Sequence, residues 1–199
     1  MYLYILKYDI KKMRMELHDC DKMHKTIMRM FKSNRKEEGV LFYNDEKDQV
    51  IFLQSINKPN VEACTGFSVV HSEEINYDEC IKDDEIDIEI HVNPVKTDVI
   101  KSKEKNSSRK MLITDSYEKE NWVMRKMLES GATVKKIYKE IQTSCYIAKD
   151  GVKSRELGIS TFILRVRIDD RDKFIEACKN GIGQQKSYGS GLMLPFVIL

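Results

Sequence analysis

What this chain has little of narrows the field first. Its formal net charge is only +2 at pH 7, so overall charge does not by itself announce a nucleic-acid partner. Its five cysteines, Cys20, Cys64, Cys80, Cys145 and Cys178, are scattered with no C-x-x-C pair, and a reducing cytoplasm is the economical expectation. No apolar run reaches bilayer length, residues 192–199 included, so no membrane association is expected. Residues 1–10 already carry Lys7 and Asp9, which argues against a secretory apolar region there. Glycine is sparse too, but four of the nine glycines fall in one stretch, Gly181-Ile182-Gly183-Gln184-Gln185-Lys186-Ser187-Tyr188-Gly189-Ser190-Gly191-Leu192.

Such a run can adopt backbone conformations that a Cβ resists, and Lys186 with Ser187 could meet a phosphate there. Two nucleotide motifs fail on context. A phosphate loop needs Gly-Lys-Ser/Thr between a strand and a helix, but Gln185 precedes Lys186 and the order is helix, loop, strand. A dinucleotide fingerprint needs a third glycine where Lys186 stands, and again a following helix.

What is present suits a soluble globular protein: 199 residues, 41% apolar and 33% charged, enough for one medium domain or two small ones. The charge is unevenly placed. Residues 22–36 hold Lys22, Lys25, Arg29, Lys32, Arg35 and Lys36 with no acid. Residues 96–110 are also basic, while residues 73–89 hold nine acids against Lys82 alone. Two basic patches make a footprint for a polyanion if folding unites them; taken singly, each is a solvated face.

Along the chain, residues 2–8 have strand composition. Asp19 or Asp21 caps a helix to about Lys32, with Met23, Ile27, Met30 and Phe31 at helical spacing. Two short strands, 40–43 and 50–53, form a hairpin. Residues 57–80 show no clear period. Ile86, Ile88, Ile90 and Val92 alternate with polar residues, a half-buried strand. After Asn93-Pro94 the polar stretch to Ser108 predicts a linker or mobile loop, and residues 110–113 a new strand. Asp115-Ser116-Tyr117-Glu118 opens a helix in capping-box form, stopped at Gly131. Strands at 141–148 and 158–168 flank the turn Asp150-Gly151. A helix capped by Asp169 or Asp170, the glycine loop and a strand over 192–199 complete the chain. The second half is close to β-α-β-β-α-β order, and the first fits the same plan with its second helix degenerate. The expectation is α+β, two tandem ferredoxin-like (RRM-like) domains: 1–95, a basic linker 96–109, and 110–199.

Five separated pieces then resemble one family, the CasE-type CRISPR repeat endoribonucleases of type I-E Cascade. They are Met1-Tyr2-Leu3, His24 in Met23-His24-x-x-x-Met28-x-Met30-Phe31, Phe52-Leu53-Gln54-Ser55-x-x-x-Pro59, Asn93-Pro94-Val95-Lys96-Thr97, and Gly181-Ile182-Gly183-x-x-Lys186-Ser187-x-Gly189-x-Gly191-Leu192. The last is the most specific. The resemblance implies two ferredoxin-like domains and cleavage of CRISPR repeat RNA at the base of its stem-loop, with neither metal nor cofactor. It implies attack by the ribose 2′-OH, leaving a 2′,3′-cyclic phosphate and a 5′-OH. The implied partners are the repeat stem-loop, as precursor and mature guide RNA, and the other Cascade subunits.

That reaction needs a base for the 2′-OH, an acid for the departing 5′-oxygen, and cations around the phosphorane. His24, at a helix start beside Lys25 and Arg29, is the catalytic candidate; base or acid stays open, and the alternative is a helix-surface histidine. The family often carries a tyrosine three residues earlier, where this chain has Asp21. Tyr2, Tyr4, Tyr8 or Tyr188 could substitute in space, or His24 could act with lysines alone. RNA-binding candidates are Lys25, Arg29, Lys96, Lys101, Lys103, Arg109, Arg165, Arg167, Gly183, Lys186 and Ser187, with Lys105 and Lys110 in the same basic arm. Arg165 and Arg167 equally suit a solvated sheet face. His91 is a minor contact candidate on a polar strand face. Cys20 and His24 have a spacing that could share a metal, but no further ligand set accompanies them. The runner-up function is a non-catalytic subunit that binds the RNA hairpin.

Overall fold

A computed structural model describes residues 1–101, 106–149 and 152–196. The first sheet has the strand order β2-β3-β1-β4, with β1 Tyr2–Tyr8, β2 Leu41–Asp45, β3 Val50–Ser55 and β4 Phe67–Glu74, every neighbouring pair antiparallel. Between β1 and β2 lie three short helices, α1 Arg14–Leu17, α2 Cys20–Met28 and α3 Arg35–Glu38. Where a second helix would complete the plan there is only a 3-10 turn, Val61–Ala63. Helix α4, Tyr77–Cys80, leads into the second half.

The second sheet repeats the order as β10-β5-β9-β8, also antiparallel, from β5 Glu85–Val92, β8 Ala132–Lys149, β9 Val152–Ile168 and β10 Met193–Pro195. Its helices are α5 Ser116–Glu129 and α6 Arg171–Asn180. Counted within each unit, both sheets have the order 4-1-3-2 that a β-α-β-β-α-β chain produces, so the fold is two ferredoxin-like units in tandem. None of the described helices is long and apolar enough to cross a membrane.

Three assignments from the sequence change. The alternating strand at 86–92 is the first strand of the second sheet, with Ile88 opposite Leu164 on β9; the change of sheet therefore falls between Glu74 and Glu85, ahead of residue 95. The strand that closes the first sheet is β4, in the stretch without a period. It is an exposed edge, with Val69 and Val70 open to solvent, so neither of its faces needed an apolar row. The basic stretch after Asn93-Pro94 contains a hairpin, β6 Val95–Lys101 paired with β7 Asn106–Leu112, and residues 110–113 do not begin the second sheet. The turn Asp150-Gly151, Lys103 and Lys105 lie outside the described residues.

Two apolar layers hold this together. Tyr4, Leu6, Tyr8, Ile51 and Leu53 bury Met23 and Ile27 of α2 against the first sheet. In the second, Ile86, Ile88, Ile90, Phe162, Leu164 and Val166 face Trp122, Val123 and Met127 of α5 and Phe174, Ile175 and Cys178 of α6. Leu3 and Leu41, on the opposite face of the first sheet, belong to this second core. Strands β1, β2 and β3 of the first sheet are thus covered on both sides, and the two units share one interface.

Candidate active site and nucleic-acid interface

Helix α2 begins at a well-made cap. The Asp19 carboxylate accepts from Asp21 N at 3.0 Å and from Ala148 N of β8 at 3.4 Å, satisfying one orphan N–H at the helix start. Cys20, the next residue, is disulfide-bonded to Cys145 of β8, with Cα atoms 6.3 Å apart. Both links press the start of α2 onto the second unit. Met23 and Ile27 take the core side, which leaves His24 half-buried on the flank.

His24 faces the glycine loop. Its ring packs edge-on against Tyr188, with centroids 6.3 Å apart at 76°, and its Nδ1 is enclosed with no hydrogen-bond partner. Burial lowers its pKa from the ordinary 6.5; Asp21 opposes this, while Arg35 and Lys25 reinforce it. Asp21 is itself engaged by Lys25, whose Nζ lies 2.6 Å from the carboxylate. Arg35, half-buried at the start of α3, donates to Val40 O at 3.0 Å.

The loop is a closed structure. Ile182 N donates to Gly191 O at 2.9 Å and Tyr188 N to Gln185 O at 2.8 Å, while Gly191 N reaches His91 O of β5. Two glycines are required sterically. A Cβ on Gly181 (φ +72°) would sit 2.6 Å from Gly191 O, and one on Gly191 (φ +94°) would sit 2.9 Å from Lys186 Cγ. Lys186 turns inward, its Nζ donating to Asn180 O and Gly181 O at 2.8 Å each. Gln54 of β3 donates to Cys178 O at 2.9 Å and Lys179 O at 3.2 Å. These two side chains therefore serve the end of α6, where carbonyls lack partners within the helix and the dipole favours a cation. The Tyr77 hydroxyl donates to Gln54 Oε1. Gln54 thus joins the two units, while Lys186 fastens the glycine loop to the end of α6 within the second unit.

Two clefts flank this region. One, about 520 Å³, is lined by Cys20 and Met23 of α2, Phe42 of β2, Cys145 of β8, and Tyr188 and Gly189 of the loop. The other, about 830 Å³, lies between the β6–β7 hairpin, α5 and the loop, and includes Lys96, Lys110, Arg125, Lys126, Gly183 and Gln184. Gly183 lies close to the Trp122 ring, which a Cβ there would meet at 3.3 Å.

The structure gathers His24, Lys25, Lys186, Ser187 and Tyr188 at the meeting of α2 and the loop, with Arg29 exposed at the C-cap of the same helix. Lys96 and Arg109 stand on the hairpin, where Lys96 pairs with Glu118 at 2.6 Å; Lys101 ends β6, and its side chain is not among those described. Arg165 forms a two-pronged pair with Asp87, 2.6 and 2.7 Å, and Arg167 pairs with Asp169 at 2.7 Å. Both therefore carry a carboxylate of their own. His91 is fully buried, stacked on Tyr43 at 3.5 Å and bonded to Thr161 at 2.9 Å; it is an interface residue, not a surface contact. Tyr4 and Tyr8 are core residues and Tyr2 packs against the same core, while Tyr188 is the tyrosine whose ring meets His24. Arg35 had only its place in a basic run to mark it, and the Cys20–Cys145 pairing had no sequence signal.

Comparison with known proteins places this geometry. A family model described as CRISPR associated protein matches residues 1–195. No curated protein matches the chain by sequence. Among solved structures, the CRISPR endoribonuclease Cse3 bound to a 19-nucleotide RNA superposes with a TM-score of 0.77 at 19% identity, over 98% of this chain and 99% of that one. Cas6e from Escherichia coli K-12 gives 0.76 at 21% identity, covering 98% of each chain. A chain of a CRISPR RNA-guided surveillance complex in a pre-nicking state gives 0.72 at 18% identity, over 98% and 99%. At these identities the likeness is one of fold.

Proposed function

This chain belongs to the CRISPR associated protein family, whose model spans residues 1–195, and from that premise we propose that it is an endoribonuclease that processes CRISPR repeat RNA. The observation that carries the proposal is His24: half-buried, its Nδ1 enclosed and unpartnered, its pKa depressed, and set against a glycine loop with Lys25 and Arg35 nearby. A neutral imidazole is a proton acceptor, and side-chain cations can stabilise a phosphorane. The reaction we assign is attack of the ribose 2′-OH on the adjacent phosphorus at the base of the stem-loop, independent of metal. It leaves a 2′,3′-cyclic phosphate and a free 5′-OH. The structural relatives support the setting, since their names include an RNA-bound endoribonuclease and a member of an RNA-guided surveillance complex. We accordingly assign the repeat stem-loop and other Cascade subunits as partners and, with them, the cytoplasm as location; the Cys20–Cys145 bond departs from the free cysteines that a reducing compartment predicts.

For RNA grip we assign Lys25 and Arg29 of α2 and Ser187 of the loop to the cut end, and Gly183, in the cleft beside the hairpin, to the stem. The hairpin residues Lys96, Lys101 and Arg109 go to the stem, together with Lys103 from the basic stretch, since an A-form stem offers phosphates more readily than base edges. Arg165 and Arg167, like Lys25 and Lys96, would have to exchange carboxylates for phosphate. The test is cleavage of the cognate repeat hairpin in EDTA. Wild type should cut, and His24→Ala should lose about 10²–10⁴-fold in rate. Undiminished cleavage by His24→Ala removes His24 from the chemistry. Asp21, locked to Lys25 where the family often has tyrosine, favours the second reading, a non-catalytic hairpin-binding subunit. Tight binding with no cleavage by wild type would establish that one.

A further inference from the structure

His24 is one proton-transfer group, and cleavage by a 2′-OH needs two: one to accept the 2′ proton and one to supply a proton to the departing 5′-oxygen. Most of the polar side chains around His24 are disqualified by their own contacts. Asp21 is held by Lys25 at 2.6 Å, and at neutral pH a carboxylate has no proton to give. Lys25 is the other half of that pair. Arg35 keeps its protons at any working pH. Lys186 turns its ammonium to the carbonyls of Asn180 and Gly181. Cys20 is bonded to Cys145.

Tyr188 is left. Its ring is the aromatic neighbour of His24, 6.3 Å between centroids. It is half-buried in the wall of the 520 Å³ cleft between the units, and no described residue takes its hydroxyl as a hydrogen-bond partner. Its position is set by the backbone: Gln185 (φ 61°) before the turn and Gly189 (φ 83°) after it are both left-handed, and Cys145 Sγ lies 3.8 Å from Tyr188 O. A left-handed non-glycine residue costs conformational energy that the surrounding contacts must hold in place. Here that cost holds a phenol beside His24.

We propose that Tyr188 is the second catalytic residue of this site, its phenol donating the proton that the 5′-oxygen takes as it leaves. This rests on the reading of the chain as a repeat endoribonuclease. His24 takes the proton of the 2′-OH as the O2′–P bond forms. The P–O5′ bond breaks, its electron pair goes to the 5′-oxygen, and the Tyr188 proton completes the 5′-OH. Water returns a proton to the phenolate and removes one from the imidazolium, so the cycle closes without another reagent. The lowered pKa of His24 keeps its imidazole ready to accept.

The experiment compares wild type, Tyr188→Phe and His24→Ala on two repeat hairpins, one natural and one with sulfur in place of the bridging 5′-oxygen at the cut. A thiolate leaves without protonation. Tyr188→Phe should bind the hairpin as wild type does, cut the natural substrate about 10²–10⁴-fold more slowly, and cut the sulfur substrate near the wild-type rate. His24→Ala should be slow on both. Unchanged cleavage of the natural hairpin by Tyr188→Phe, or an equal loss on both substrates, overturns the role of Tyr188 while leaving the enzyme reading intact. Failure of wild type to cut either substrate overturns both.

Discussion

His24, the residue proposed for catalysis, shows how little of such a role lies in a residue's identity. The same imidazole on an exposed helix face would titrate near its ordinary 6.5, but burial moves the value down, and Arg35 and Lys25 push it the same way against Asp21. The sign matters for the pH profile. A group with a lowered pKa is neutral above that value and gains its proton only as pH falls through it. Cleavage that needs neutral His24 should therefore hold from neutrality down past 6.5 and decline only below. Arg35→Gln removes one of the cations responsible, so the acid limb of the single-turnover rate should move to higher pH. A wild-type limb centred above 6.5, or no movement in the variant, contradicts this account of the site.

At the scale of elements, the end of α6 is where two motif residues find an unexpected use. Gln54 from β3 and Lys186 from the loop together serve Cys178, Lys179, Asn180 and Gly181 carbonyls. Gln54 also accepts from the buried Tyr77 hydroxyl. Gln54→Leu leaves that hydroxyl and two carbonyls without their partner, and should cost about 1–3 kcal/mol in urea unfolding. A loss within experimental error of zero would mean water replaces the amide. The sequence marked both residues as part of a pattern. The contacts of Lys186 are local to its own unit, but the task of Gln54 was not legible there: a helix terminus in one unit and a strand in the other become neighbours only when the sheets dock.

Across the whole molecule, the two units are joined around the candidate site. Leu3 and Leu41 enter the second core, Tyr43 stacks on His91, and Cys20 is bonded to Cys145 across 125 residues of sequence. A link closing so long a loop restricts the unfolded chain, typically by about 2–4 kcal/mol. Oxidised protein should therefore unfold at higher denaturant than protein held in reductant, and Cys145→Ser should abolish the difference. An unchanged midpoint on adding reductant would show that the link adds no stability.

Local features were legible in the residues alone. Alternation marked β5, a helical stripe marked α2, Asp19, Asp115 and Asp170 were all among the expected caps, and the glycine loop with His24 singled out the region of interest. These are readable because period and capping depend on residues a few positions apart. Only the tertiary structure decided that β5 pairs with β9 in the second sheet, that β4 closes the first, and that the basic stretch after Asn93-Pro94 contains a hairpin. It also decided which tyrosine meets His24 and which basic residues already hold a carboxylate or a carbonyl. Those outcomes depend on pairings between residues tens of positions apart, chosen by how two sheets bury their faces against each other. A period records that a face is buried, and the docking of the units selects what buries it.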